Sequence, residues 1–134
     1  VNEKAGSGMK PGTHGSTFGG NPLAMSVGNA VLDVILEKGF LENVVSVGHY
    51  FEKQLLKLKE KYPSVLEEVR GKGLLRGIKV KVNNVDFLNQ LFENKMLAVK
   101  AGDNVVRLLP HLIIENKEID EGVSIIEKVC EKLK

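Results

Sequence analysis

The chain has no tryptophan, one cysteine and four prolines among its 134 residues, and only 5% of them are aromatic. Each scarcity excludes something. Cys130 cannot form an internal disulfide alone, and such cysteine usage is expected of a reducing compartment. With so few rings, a core has to be assembled largely from Val, Leu and Ile. No apolar run approaches the ~20 residues that a helix needs to cross a bilayer, so no membrane role is expected. An excess of one charge is missing too. Nineteen basic and 17 acidic residues are interleaved to a net charge of +2, which leaves no footprint for nucleic acid. His14, His49 and His111 stand far apart and, with one cysteine, make no metal-ligating spacing. The amino terminus, "VNEKAGSGMKPG", has neither an initiator Met nor the apolar centre of a signal peptide. It reads as a cut from something longer, and a cytoplasmic fragment is the expectation.

What is present is the composition of a single globular domain, with 43% apolar and 27% charged residues. Asn21 suits an N-cap and Pro22 a first helical position, and Leu23, Val27, Ala30, Val31, Val34 and Ile35 follow at helical spacing up to Lys38-Gly39. A second amphipathic helix runs from about Leu41 to Tyr62-Pro63, carrying Val47, Phe51, Leu55 and Leu58 on one side. The period then shortens. Val65 to Val69 predicts a strand, "GKGLLRG" (Gly71 to Gly77) a turn, and "IKVKV" (Ile78 to Val82) a half-buried strand.

Val85 to Asn94 predicts a short helix with Phe87, Leu88, Leu91 and Phe92 inward. Leu97 to Lys100 and Val105 to Leu109 predict two more strands, divided by Gly102-Asp103-Asn104. A final helix after Asn116 has acids at its start, lysines at its end, and a stripe of Ile119, Val123, Ile126, Val129 and Cys130. The class is therefore α+β: two leading helices, then a small, mostly antiparallel sheet packed with helices.

Two places carry chemistry. Ser16-Thr17-Phe18-Gly19-Gly20-Asn21 puts two hydroxyls and several backbone N–H groups just ahead of a helix N-terminus, where phosphate or carboxylate is favoured. The same residues also fit a flexible loop with a capped helix, and local physics leaves both readings open. The second place is Arg107, inside the apolar strand "NVVRLLP". Strand alternation favours a solvent-facing side chain, whereas a guanidinium aimed at a carboxylate would clamp it with two parallel hydrogen bonds. Arg76, in "GKGLLRG", reads as a surface or interface charge, because that segment has neither common phosphate-loop spacing.

"HGSTFGGNPLAM" (His14 to Met25), "GKGLLRGI" (Gly71 to Ile78) and "DNVVRLLPHLII" (Asp103 to Ile114), in this order, resemble the class III pyridoxal-phosphate-dependent aminotransferases, most of all their acetylornithine-type members. The likeness is to the carboxy-terminal third of such enzymes. It implies that residues 1–20 are a cofactor-phosphate loop ending the large domain. Residues 21–66 would be two linking helices, and 67–134 a small C-terminal α+β domain.

The same resemblance implies that Thr17, with Ser16 beside it, holds the phosphate of pyridoxal phosphate across a homodimer interface. Arg107 would hold a substrate carboxylate, against the solvent-facing preference of its pattern. The family's Schiff-base lysine lies upstream and has no counterpart here, since Lys4 and Lys10 match nothing. The expectation is thus an inactive portion of an enzyme acting on small amino and keto acids. Its rivals are a free-standing non-catalytic domain or gene remnant, and another class III enzyme acting on ornithine, succinylornithine or 4-aminobutyrate. His111 departs from the family's commoner proline or small residue after Pro110.

Overall fold

Residues 2–134 are described by a computed structural model. Among them lie α1 (Glu3–Gly6), α2 (Pro22–Ile35), α3 (Phe40–Lys61), β1 (Leu66–Lys72), β2 (Leu75–Val80), α4 (Asn84–Glu93), β3 (Val99–Ala101), β4 (Val105–Leu108) and α5 (Asn116–Leu133). They form two compact units that meet in the chain between Phe40 and Leu41. No helix among the described residues is long and apolar enough to cross a membrane.

In the first unit α2 begins as its residues demand. Asn21 caps it, its Oδ1 accepting from the Ala24 amide at 2.9 Å, and Pro22 opens the first turn where its missing N–H costs nothing. Its apolar residues bury nothing: Leu23, Val27, Val31, Leu32 and Val34 are all exposed. The short α1, capped by Asn2, was not foreseen from the sequence.

The second unit holds the expected α+β arrangement, a four-stranded sheet in the order β1-β2-β4-β3 with every pair antiparallel. Alternation along β2 sends Arg76, Ile78 and Val80 into the core and Leu75, Gly77 and Lys79 to the other face. The core joins Phe51, Leu55 and Leu58 of α3 to Ile78, Val106 and Leu108 of the sheet, Phe87 and Leu91 of α4, and Ile119, Ile126, Val129 and Cys130 of α5. At helical spacing, α5 presents one apolar stripe and keeps its charges outside.

Two asparagines fasten α4 to the sheet. Asn104, in the left-handed region at φ 55°, donates through Nδ2 to the Val80 and Val82 carbonyls at 2.6 and 2.7 Å. Its Oδ1 accepts from the Asn84 amide at 3.0 Å. The buried Asn84 side chain donates in turn to the carbonyls of Ala101 and Val105 at 3.2 and 3.1 Å. Buried and part-buried backbone carbonyls around the β3–β4 turn thereby gain side-chain donors.

Three local expectations are corrected. "GKGLLRG" is mostly strand, since β1 runs to Lys72 and β2 starts at Leu75, leaving Gly73-Leu74 as the turn. Gly73 takes φ 57°, which suits a tight hairpin turn, so the segment's glycines did not all signal turn. Phe92 is exposed, because α4 ends at Glu93 and its core face runs through Phe87 and Leu91. The third strand covers Val99–Ala101 rather than Leu97 to Lys100, leaving Leu97 exposed outside the ladder.

Burial, followed by the carboxylates of Glu127 and Glu131, pushes the Cys130 thiol up from 9.0 to about 12. In the unfolded chain the thiol ionises near its ordinary value, whereas the folded chain keeps it protonated. Its influence on stability is therefore nil below pH 9 and unfavourable between pH 9 and 12. Urea midpoints measured across that window should fall more steeply for the parent chain than for Cys130→Ala. Equal slopes would mean that the thiol does not titrate with unfolding.

Candidate functional site

The open face of the sheet carries one row of opposed residues, Arg70–Gly77–Arg107–Val99, running across β1, β2, β4 and β3. Directly opposed residues of antiparallel strands share a face, so both arginines rise on the same side with a glycine between them. A cavity of ≈ 350 Å³ lies here, lined by Arg70, Gly77, Val105 and Arg107 and reached also by Arg76.

The cations around it are not equivalent. Arg70 donates to Asp103 Oδ2 at 2.9 Å and lies 3.7 Å from Glu68. Lys79 bridges Glu67 at 3.0 Å and Asp103 at 3.3 Å. Hydrogen bonds from Arg70 and then Lys79 hold the Asp103 carboxyl below its ordinary value, while Glu67 and then Asp103 raise Lys79. Arg107 is exposed, and no carboxylate pairs with it among the described residues. Alternation correctly anticipated that it leaves the core. One guanidinium thus stands open to an outside anion beside a neighbour already neutralised.

Arg76 departs from the sequence reading, which made it a surface or interface charge. It is only 3% exposed. It shares the inward face of β2 with Ile78 and Val80, and α3 supplies acceptors there. One terminal nitrogen donates to Glu52 Oε1 at 2.8 Å and to the Gly71 carbonyl at 3.2 Å, and the other to the Gly48 carbonyl at 3.1 Å. Its buried Nε has no hydrogen-bond partner among the described residues. The helix approaches closely because position 48 lacks a side chain: a Cβ there would lie 3.0 Å from the Gly73 carbonyl carbon. No periodicity in the sequence signals this pairing, since the acceptors are mainly backbone.

Ser16 and Thr17 lie together in the exposed loop before α2. The loop is tight at its end. A Cβ on Gly19 would come within 3.0 Å of Ser16 Oγ, Gly20 has φ 74°, and Asn21 Nδ2 donates to the Phe18 carbonyl at 2.6 Å. The helix end is largely satisfied internally, because Asn21 takes the Ala24 amide, the Met25 amide bonds the Asn21 carbonyl, and Pro22 has none to give. An anion at this loop would therefore depend on the two hydroxyls and the loop amides more than on the helix terminus. Ser16 and Thr17 belong to the first unit and Arg107 to the second.

The Aminotransferase class-III family description matches residues 1–130. An acetylornithine aminotransferase of Agrobacterium fabrum is 51% identical over 129 residues, which are 96% of this chain and 32% of that protein. The crystal structure of acetylornithine aminotransferase from Elizabethkingia anophelis matches with a TM-score of 0.78 and 39% identity, over 92% of this chain and 32% of that one. A Plasmodium yoelii ornithine aminotransferase matches with a TM-score of 0.80 and 36% identity, over 94% and 34% of the respective chains. The chain thus spans about a third of the length of the relatives it matches.

The Arg76 cluster makes a direct prediction. Glu52→Ala leaves a buried guanidinium short of its only carboxylate and should cost about 1–3 kcal/mol, read as a lower urea midpoint at unchanged m-value. A midpoint equal to the parent's would show that the carbonyls of Gly48 and Gly71 suffice.

Proposed function

Because this chain belongs to the class III aminotransferases, we propose that it is the carboxy-terminal portion of an enzyme that moves an amino group between N-acetylornithine and 2-oxoglutarate, in arginine biosynthesis. The observation that carries this reading is the unpaired Arg107 beside the cavity on the open sheet face. A planar guanidinium there grips a carboxylate through two parallel hydrogen bonds, which fixes the acid's direction as well as its position. The 51% identity to the Agrobacterium enzyme supports the acetylated donor. Ornithine is the second reading, supported by the likeness to the Plasmodium structure.

Pyridoxal phosphate, the cofactor of the family, supplies an electron sink when bound. The donor set before α2 fits its phosphate: Ser16 and Thr17 are exposed, and hydroxyls with loop amides are what a phosphate monoester takes. Thr17 would act across a homodimer interface, on the cofactor of the opposite subunit. The reactive lysine belongs to a segment outside this chain, which alone would not catalyse transfer. Residues 1–20 would close the cofactor domain, 21–66 link it onward, and 67–134 form the small domain. The apolar but unburied α2 supports packing against a segment or subunit outside this chain. A single buried thiol fits a cytoplasmic enzyme.

In the full-length protein, Arg107→Ala removes a charge-assisted pair worth about 2 kcal/mol, so KM for 2-oxoglutarate should rise about 30-fold. Unchanged kinetics would remove the arginine from the site. Thr17→Ala should weaken cofactor retention about tenfold in equilibrium dialysis, and full retention would overturn the phosphate role. Comparing N-acetylornithine with ornithine as donor decides between the two substrate readings.

A further inference from the structure

Position 77 has no conformational need for glycine. Unlike Gly71 and Gly73, it does not take positive φ, and it sits in the middle of β2 paired on both sides. A glycine inside a strand weakens it, so its use here points to space. That space is specific. A Cβ at position 77 would lie 2.9 Å from Val105 Cγ1 and 3.7 Å from Arg70 Cγ. It would also stand between Arg70 and Arg107, whose strands are roughly 10 Å apart across β2. Any side chain there displaces Val105 or rises into the cavity that both arginines line. Arg70 is turned toward Asp103 and Glu68, so it forms the far wall of this gap while Arg107 is the open cation.

We propose that Gly77 is a specificity-determining position: its missing side chain keeps open the lane by which a substrate carboxylate reaches Arg107. The inference rests on the reading of Arg107 as the carboxylate's partner. The lane admits an acid whose carboxylate is followed by a narrow chain, and a methyl group at position 77 intrudes on it. Gly77 touches no reacting atom. It acts through the room it leaves beside Arg107.

The test uses full-length protein with 2-oxoglutarate as the varied substrate, and thermal midpoints measured alongside. Gly77→Ala should raise KM about tenfold, the scale of one misfitted methylene in a shaped pocket, with kcat within about twofold of the parent. The double variant Gly77→Ala with Val105→Ala removes the 2.9 Å contact. It should recover any stability lost by Gly77→Ala and still show the raised KM. Recovery of KM together with stability would overturn the proposal, because the effect would then be packing strain alone. Arg107→Ala is measured in parallel. If it raises KM while both Gly77 variants match the parent, the lane falls and the arginine stands. If Arg107→Ala itself is without effect, the carboxylate reading fails, and the lane with it.

Discussion

A guanidinium inside an apolar core has to find acceptors, and the second unit is arranged around meeting that requirement for Arg76. Glu52 and the Gly48 carbonyl come from α3, and the Gly71 carbonyl from β1, so one side chain of β2 gathers a helix and both strands of the hairpin. The angle of approach follows from it. Gly48 must face Gly73 closely enough for its carbonyl to reach the guanidinium. With Arg76 held inward, the pleat of β2 leaves no choice about its neighbour, and Gly77 faces the open side opposite Arg107. Buried ion pairs often add little net stability over apolar packing, so the value of this one lies in orientation.

The open face shows a complementary use of charge. Asp103, in a left-handed turn at φ 57°, draws in Arg70 and Lys79, and with Glu67 and Glu68 it balances their charge. Their pairing leaves Arg107, among the described residues, as the unpaired guanidinium lining the cavity. Asn104 follows in the same turn and ties it to β2 and α4, so the β3–β4 connection that holds Asp103 in place is anchored in the core. A single three-residue turn, Gly102 to Asn104, therefore serves both the packing of α4 and the electrostatics of the cavity.

Much of this was legible in the residues. The cap at Asn21, the stripe of α5, the four strands and the α+β class follow from periodicity and turn chemistry, which act locally. Alternation also set Arg107 apart from Val106 and Leu108. The failures share a different cause. Arg76 looked like a surface charge because its acceptors come from α3 and from backbone carbonyls, neither of which leaves a pattern near position 76. Asn104 reads as an ordinary turn residue and nothing in the sequence marks Asn84, yet the two bond across 20 positions of sequence. Glycines signalled a turn over Gly71 to Gly77, although Gly71 and Gly77 lie in strands and only Gly73 in the turn. Small residues report that space is needed and not which neighbour needs it.

The contact between Gly48 and Gly73 also limits how this protein can change. A glycine in the middle of a 22-residue helix ordinarily invites replacement by alanine, a gain of about 1 kcal/mol in helix propensity. Here the added methyl would press on backbone atoms 3.0–3.1 Å away, and backbone cannot turn aside as a side chain can. The customary route to a sturdier helix is therefore closed at this position. The hairpin would have to lift from α3, and the acceptors of Arg76 would separate with it. Helical weakness at Gly48 is thus built into the fold.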